Sequence, residues 1–345
     1  MRKLIIQIPC FNEEQTLGVS LRELPRQVPG FDVVEWLVID DGSRDRTVEV
    51  ARTHGVDHIV RVPTNRGLAN GFRTGLRACV QLGADVIVNT DADNQYCAAD
   101  IPALTQPLLN GEADMVIGAR PISQTEHFSW RKKVLQVLGS FVVRLASNTA
   151  VADAPSGFRA ISREAAKRLN VFSDYTYTLE TIIQAGHQRM RVVSVPIRTN
   201  ADLRPSRLLK SISSYVRYSA ITIVRVFVAY KPFRFFGVPG ILAVLAGLAI
   251  GIRYLVLFFS EGGAGHVQSL ILSAILLGGG TSLILLALIA DLISVNRKLL
   301  EKVDTRLADI EEQLEVTSLV DKQQPHHADD AELWSREKRP AARTA

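Results

Sequence analysis

The stretch Val86-Ile-Val-Asn-Thr-Asp-Ala-Asp-Asn-Gln95 decides the fold of this chain, because it joins a short apolar segment directly to two closely spaced carboxylates. Short apolar runs bounded by polar residues are typical of buried strands in a parallel sheet. Asp91 and Asp93 follow such a run at once. We therefore expect their side chains at the carboxyl edge of the sheet, where open α/β sheets bind ligands.

The same pattern recurs through the first third of the chain, where short apolar segments alternate with helical patterns. This alternation predicts an α/β fold with a largely parallel sheet. The apolar segments are residues 4–8, 36–39, 59–62, 86–88 and 115–117. After the first of them, Asn12 is predicted to cap a helix that runs to about Gln27.

A second acidic turn, Asp40-Asp41-Gly42-Ser43, follows the second apolar segment. Its carboxylates would accept hydrogen bonds from a nucleotide base or ribose. The plainer alternative is a turn that leads into a helix cap, since Asp, Gly and Ser favour both. No dinucleotide fingerprint or P-loop is found: Asn65-Arg66-Gly67 continues to Gly71 and Gly75, whose spacing indicates close packing of a helix.

Oxygen ligands at alternate positions, Asp91, Asp93 and Gln95, suit a hard divalent ion that carries the phosphates of a nucleotide. Mg²⁺ or Mn²⁺ is the expected cofactor. An EF-hand loop begins in the same way, but Tyr96 stands where that loop requires Gly. The remaining alternative is a pair of carboxylates that cap the helix after Asp100.

Taken in order, the motifs of this chain resemble the dolichyl-phosphate mannose synthase-like branch of the GT-A, family-two glycosyltransferases. The resemblance covers about residues 3–210. The motifs that carry it are Ile8-Pro-Cys-Phe-Asn-Glu-Glu14, Asp40-Asp-Gly-Ser-Arg-Asp45, Asn65-Arg-Gly67, Asp91-Ala-Asp-Asn-Gln95, Gly118-Ala-Arg120 and Asp153-Ala-Pro-Ser-Gly-Phe-Arg159.

The resemblance implies an inverting transfer of a hexose from a nucleotide sugar to polyprenyl or dolichyl phosphate, with GDP-mannose favoured over UDP-glucose or UDP-N-acetylglucosamine. It also implies roles for individual residues. The expected nucleotide-binding residues are Pro9, Asn12, Glu13, Asp40, Asp41, Asn65 and Asp91. The expected metal ligands are Asp91, Asp93 and Gln95. The expected catalytic residues are Asp93, Arg120, Arg131, Arg159 and Arg204, of which Arg120, Arg131 and Arg204 would bind the acceptor phosphate.

The second half of the chain carries two long apolar runs, residues 235–259 and 269–290, each long enough to cross a bilayer core of about 30 Å. A basic amphipathic stretch precedes them and predicts helices that lie on the membrane surface and contact its lipids. The predicted domains are a GT-A domain (1–205), juxtamembrane helices (206–234), two transmembrane helices (235–293) and a helical, then disordered, tail (294–345).

Lys and Arg flank the two apolar runs on their outer sides and are missing from the connector between them, which predicts that the catalytic domain and both termini face the cytosol. The host membrane would be a plasma or inner membrane, or the endoplasmic reticulum of a eukaryote. The three cysteines are odd in number and widely spaced, which favours a reducing compartment.

Other functions are compatible with parts of the sequence. The formal net charge is +5, yet no nucleic-acid-binding motif is found, so nucleic acid is not an expected partner. A processive polysaccharide synthase would carry a Gln-x-x-Arg-Trp motif, which this chain lacks. A membrane-anchored glycosyltransferase with a soluble or glycolipid acceptor, a non-catalytic membrane scaffold and assembly into a homo-oligomer stay open.

Overall fold

The computed structural model of the chain describes residues 1–121, 140, 141, 143, 144, 147–171, 177–201, 203, 221, 224, 228, 231–261 and 267–323. Among them are seven strands: β1 (Lys3–Cys10), β2 (Val33–Asp40), β3 (His58–Arg61), β4 (Val86–Asn89), β5 (Met115–Ala119), β6 (Arg159–Ser162) and β7 (Val192–Pro196). The helices that accompany this sheet are α1 (Leu17–Glu23), α2 (Thr47–Thr53), α3 (Leu68–Gln81), α4 (Ile101–Leu109), α5 (Arg163–Arg168) and α6 (Thr178–His187).

The seven strands form one sheet in the order β3-β2-β1-β4-β6-β5-β7. All neighbouring pairs are parallel except those of β6, which runs antiparallel to both β4 and β5. The five predicted strands are confirmed as β1 to β5. β6 and β7 were not predicted, and they extend the sheet on the side of β4.

Both faces of the sheet are covered, which is why its central strands are almost continuously apolar. On one face Ile5 of β1 belongs to a buried cluster with Phe72 of α3. On the other face Ile6 belongs to a second buried cluster with Leu17 of α1. Because side chains alternate along a strand, neighbouring residues of β1 supply opposite clusters.

Helix α3 lies unusually close to the sheet at Gly75, as the glycine spacing predicted. A Cβ atom at Gly75 would lie 2.4 Å from the Gln7 side-chain oxygen, whereas one at Gly71 would meet Pro9 at an ordinary 3.5 Å. Gln7 has little room to move, because it is fully buried and its amide donates to Asn89 at 2.9 Å. Gly75 is therefore required by packing.

The helix after β1 differs from its prediction at both ends. It begins at Leu17, with Thr16 at the cap position, and ends at Glu23 instead of near Gln27. Asn12 does not cap it: its backbone is left-handed, with φ +55°, and its side-chain oxygen accepts a hydrogen bond from the Arg44 amide at 2.8 Å. Asn12 joins two loops at the sheet edge, and the predicted cap was wrong.

Two long helices, α7 (Val238–Glu261) and α8 (Val267–Gln323), form the C-terminal part of the described chain. Two candidate membrane spans lie here: Phe233–Ser260, which begins in a π-helical turn (Phe233–Gly237) before α7, and Val267–Asn296, which lies within α8. In the most apolar 18-residue stretch of each span, only 6% and 17% is buried inside the protein. Neither span is therefore a core helix of a soluble domain. The predicted end of the second span, residue 293, lies inside α8. The predicted surface helices lie largely outside the described residues, and the predicted disordered tail does so from residue 324 onward.

The two spans contact each other through small residues. A Cβ atom at Gly240 would lie 2.9 Å from the Gly280 carbonyl oxygen, and the Ser273 hydroxyl donates to the Gly247 carbonyl at 2.7 Å. Small residues allow membrane helices to approach closely, since packing and hydrogen bonds drive their association in lipid. The leucines and isoleucines on the other faces are exposed, as a lipid contact requires.

We expect Gly75→Ala to lower the free energy of unfolding by about 1–3 kcal/mol, the usual cost of overpacking a core. Gly71→Ala, on the same helix, adds the same methyl group where there is room and should leave the stability unchanged or raise it slightly, because Ala favours helix. Thermal unfolding of the two variants in detergent measures the difference. Equal thermal midpoints would contradict the close approach at Gly75.

Candidate active site

The carboxyl ends of β1, β2 and β4 meet at one edge of the sheet and bring the predicted acidic residues together. Cys10 at the end of β1 lies opposite Asp40 at the end of β2, and Asp91 follows β4. Asp91 interacts electrostatically with Asp93, Arg120 and Glu13. Residues from four separate motifs of the sequence therefore share one site.

Asp91 lies in an environment that disfavours its negative charge. Desolvation raises the pKa of its carboxyl, and the charge of Asp93 raises it further, whereas Arg120 acts in the opposite direction. The net pKa is raised to about 7, because burial, the larger effect, and the neighbouring carboxylate together outweigh Arg120. Such a site gains stability from a bound cation.

The Asp93 loop has a fixed shape. The Gln95 amide donates to the Asp93 carboxylate at 3.2 Å, and Asn94 between them is left-handed, with φ +57°. The helix-capping alternative is not supported, because the cap position of α4 belongs to Asp100, whose carboxylate binds Arg198. Neither Asp91 nor Asp93 caps this helix.

The donor set at this loop is two carboxylates and one amide. In the described part of the chain there is no cluster of three or more His, Cys, Asp or Glu side chains that could hold a metal ion. Mg²⁺ is commonly held by one or two carboxylates, with water and substrate phosphates completing its shell, so a full protein cage is not needed. Asp91, Asp93 and Gln95 fit a divalent ion that arrives with a diphosphate.

Asp40 and Asp41 both have protein partners. Asp40 is fully buried, and its carboxylate accepts from the Ser43 amide at 3.0 Å and from Arg61 at 3.2 Å. The Asp41 carboxylate accepts from the backbone amides of Arg66 at 3.0 Å and of Gly67 at 2.8 Å. These contacts shape the loops that border the site, as the turn alternative expects, and the predicted contact of Asp40 and Asp41 with the nucleotide stays a prediction.

The loop that follows β1 is bonded to the loop that follows β2. The Asn12 amide donates to the Ser43 hydroxyl at 2.9 Å, and the Glu13 amide donates to the Thr47 hydroxyl at 2.8 Å. Pro9 is half-buried within β1. Asn65 is exposed, and its side-chain oxygen accepts from the Gly67 amide at 2.9 Å. These predicted nucleotide-binding residues line one rim of the sheet edge.

Arg120 is positioned by a buried carboxylate. Its Nε donates to one oxygen of Asp153 at 2.7 Å, and its Nη2 donates to the other at 3.1 Å. This paired geometry orients the guanidinium plane, and among the described residues no hydrogen bond involves Nη1. Burial lowers the pKa of Arg120, but nearby Tyr96, Asp153 and Asp91 outweigh it and raise the pKa overall, so the arginine stays charged.

Arg159 differs from Arg120 in that its side chain is fully buried. It lies in β6, and it donates to the Ser156 carbonyl at 2.8 Å, the Thr181 hydroxyl at 2.6 Å and the Ala154 carbonyl at 2.9 Å. Burial lowers its pKa to about 10. These hydrogen bonds all go to protein groups and favour a structural role, and the predicted catalytic role of Arg159 stays a prediction. Arg131 and Arg204 lie outside the described residues.

Two supporting residues at the site were not singled out from the sequence. The Asn200 amide donates to the Gln95 carbonyl at 2.9 Å, and its side chain donates to the Asn94 carbonyl at 3.1 Å. Tyr96 accepts from the Gly157 amide at 2.9 Å. Tyr96 directly follows the acidic motif, which was a usable signal. Nothing local marks Asn200, since its partners are far away along the chain.

The sheet order and the acidic edge define a glycosyltransferase with a GT-A fold. Residues 5–169 match the family described as glycosyl transferase family 2. An uncharacterized protein of Methanocaldococcus jannaschii is 33% identical over 57% of this chain and 81% of its own length. The chain belongs to glycosyl transferase family 2, in the branch that resembles dolichyl-phosphate mannose synthase.

Several relatives have named activities. UDP-N-acetylglucosamine–dolichyl-phosphate N-acetylglucosaminyltransferase of Methanococcus voltae is 29% identical over 56% of this chain and 83% of its own length. Undecaprenyl-phosphate mannosyltransferase of Micrococcus luteus is 29% identical over 57% of this chain and 83% of its own length. Glucosyl-3-phosphoglycerate synthase of Mycobacterium tuberculosis, crystallised with Mn²⁺ and UDP, shares the fold: its TM-score is 0.50 at 23% identity, over 64% of this chain and 80% of that one.

We expect Arg159→Leu to lower the free energy of unfolding by about 3–5 kcal/mol, because it leaves buried carbonyl and hydroxyl groups without their donor. Arg66→Ala removes an exposed side chain and serves as the control, with an expected change within about 0.5 kcal/mol. Thermal or denaturant unfolding compares the two. A fully stable Arg159→Leu variant that has lost activity would instead favour contact with substrate.

Proposed function

We propose that this chain transfers a hexose from a nucleotide sugar to a polyprenyl phosphate, with inversion at the anomeric carbon, at the surface of the membrane in which it is anchored. The acidic edge with Arg120 beside it is the observation that supports this most: a diphosphate and its cation would bind at the carboxylates, next to a second phosphate at the arginine. The Methanococcus voltae and Micrococcus luteus relatives carry lipid-phosphate acceptors in their names.

The donor would bind at the rim formed by the loops after β1 and β2. Asp91, Asp93 and Gln95 would hold a divalent ion, and Asn65, Glu13 and Pro9 would border the nucleoside. Bound there, Mg²⁺ or Mn²⁺ supplies charge stabilisation for the departing diphosphate without a proton transfer. Asp40 and Asp41 would keep the bordering loops in place through their backbone hydrogen bonds.

The acceptor would bind beside Arg120. A monoalkyl phosphate has a second pKa of about 6, so at neutral pH it is largely dianionic and can attack without a dedicated general base. Arg120 would offset the repulsion between this nucleophile and the donor, and Asp153 would keep its planar donors oriented. Arg131 and Arg204 stay proposed as further phosphate ligands.

The two apolar helices would place the site at the bilayer surface. A polyprenyl chain leaves the bilayer only at great cost, since each buried CH₂ contributes about 0.8 kcal/mol. The enzyme must therefore act where the lipid phosphate is. The basic residues that flank the spans favour a cytosolic catalytic domain and cytosolic termini. The predicted domain boundaries at residues 205, 234 and 293 stay part of this proposal.

GDP-mannose is the donor we favour, with UDP-glucose and UDP-N-acetylglucosamine as the alternatives. The two named relatives differ in the sugar they transfer, so the family membership does not choose between them. Incubation of the purified protein with polyprenyl phosphate and each labelled donor, followed by extraction of the lipid product, identifies the sugar.

We expect Asp93→Ala to abolish metal-dependent transfer while the protein stays folded. The rate should fall at least about 100-fold, because a bound cation contributes several kcal/mol to the transition state. Product formation over a range of Mn²⁺ concentrations measures this, with the thermal midpoint as the folding check. Asp114→Ala, which removes a carboxylate at the opposite edge of the sheet, should keep its activity. Near-normal transfer by Asp93→Ala would reject the assigned metal site.

The acceptor class can be tested with the wild-type protein. We expect transfer to undecaprenyl or dolichyl phosphate and none to the corresponding free polyprenol or to soluble sugars, because only the phosphate is an ionised nucleophile at neutral pH. Equal incorporation into a soluble sugar would favour the alternative acceptor. Failure with every acceptor and donor, in a folded protein, would favour the non-catalytic scaffold.

A further inference from the structure

A buried cluster of hydroxyl and amide groups lies directly beneath the acidic edge, around Gly157. The Gly157 amide donates to the Tyr96 hydroxyl at 2.9 Å, and its carbonyl accepts from the Asn89 side chain at 2.8 Å. Asn89 also donates to the Tyr177 hydroxyl at 3.0 Å. Both tyrosines are buried.

The Asp91 carboxylate packs against this cluster. A Cβ atom at Gly157 would lie 3.2 Å from each oxygen of Asp91 and 3.0 Å from the Tyr177 hydroxyl. The Tyr96 hydroxyl interacts electrostatically with the Asp91 carboxylate. Since this hydroxyl accepts from the Gly157 amide, its own hydrogen is available to donate toward Asp91. The Gly157 backbone therefore lies beside both the Tyr96 hydroxyl and the Asp91 carboxylate.

The same turn also holds the arginine of the acceptor side. It begins at Asp153, whose carboxylate is paired with Arg120, and ends next to Gly157, whose amide holds Tyr96. Donor-side and acceptor-side charges are therefore tied to one short segment. The Tyr96 ring is itself fixed, because it stacks on Phe158 with ring centroids 5.1 Å apart.

We propose that Tyr96 is a positioning residue that sets the orientation of the Asp91 carboxylate, both for the cation and relative to Arg120. The inference rests on the proposed function and deepens it, since it adds a residue that acts through Asp91 without touching either substrate. Residues that orient metal ligands in this way commonly change metal affinity 10–100-fold when they are removed.

Tyr96→Phe and Tyr177→Phe form a matched pair for the test. Each variant loses one buried hydroxyl and leaves one buried donor, the Gly157 amide or the Asn89 side chain, without its partner. Each ring keeps its stacking partner, Phe158 or Phe72. A general loss of stability should therefore be similar in both, whereas a loss of orientation at Asp91 should be confined to Tyr96→Phe.

The measurement is Mn²⁺ binding to the full-length protein in detergent, in the presence of GDP or UDP, followed by the loss of the free-Mn²⁺ signal in electron paramagnetic resonance. We expect Tyr96→Phe to weaken Mn²⁺ binding about 10-fold and to lower kcat, with the KM for the lipid phosphate changed less than 2-fold. Tyr177→Phe should bind Mn²⁺ within 2-fold of wild type. Gly157→Ala, which presses on Asp91 and keeps the Tyr96 hydroxyl, should also weaken binding and serves if Tyr96→Phe does not fold.

Wild-type Mn²⁺ affinity in a folded Tyr96→Phe variant would overturn the inference and leave the proposed function intact, as would wild-type affinity in Gly157→Ala where Tyr96→Phe does not fold. Equal weakening in Tyr96→Phe and Tyr177→Phe would also overturn it, because the effect would then not be specific to the Tyr96 hydroxyl. A folded wild-type protein that binds no Mn²⁺ with either nucleotide would overturn both this inference and the metal-dependent part of the proposed function.

Discussion

The charge balance at the carboxyl edge of the sheet is the constraint on which the rest of this structure depends. Asp91 and Asp93 lie close together, and desolvation and mutual repulsion raise the pKa of Asp91. Arg120 offsets part of this charge, but Asp153 already pairs with it. The site therefore favours added positive charge, which in the proposed function a cation brought in with a diphosphate would supply. The surrounding loops hold these charged groups in their relative positions.

An antiparallel strand within an otherwise parallel sheet makes this arrangement possible. β6 pairs with β4 so that Arg159 lies opposite Asn89. The residues that precede β6 therefore emerge at the end where β4 finishes, beside Asp91. A parallel strand in that place would present its carboxyl end there instead. The turn that holds both Arg120 and Tyr96 reaches the site for this reason.

Hydrogen-bonded polar side chains inside the sheet stabilise its carboxyl edge. Gln7 and Asn89 bond to each other inside the sheet, and Gly75 is left without a side chain so that α3 can lie against Gln7. Buried polar groups stabilise a fold only when they are bonded, and these are. Close packing and hydrogen bonding in the core thus position charges that act at the surface. In the proposed function the apolar spans hold the site at the membrane surface, because the proposed acceptor cannot leave the lipid.

The sequence by itself determined the parallel strands, the acidic loops and the two apolar runs, since periodicity, residue type and length are local properties. It also marked Arg120 and Asp153 through their motifs. Only the tertiary structure decided that Arg159 is buried among carbonyls, that Asn12 joins two loops instead of capping α1, and that Asn200 holds the Asp93 loop. Each of these depends on partners distant along the chain, and the pairing of β6 and β7 is long-range in the same way. Burial and hydrogen-bond partners are settled by packing, which no local pattern encodes.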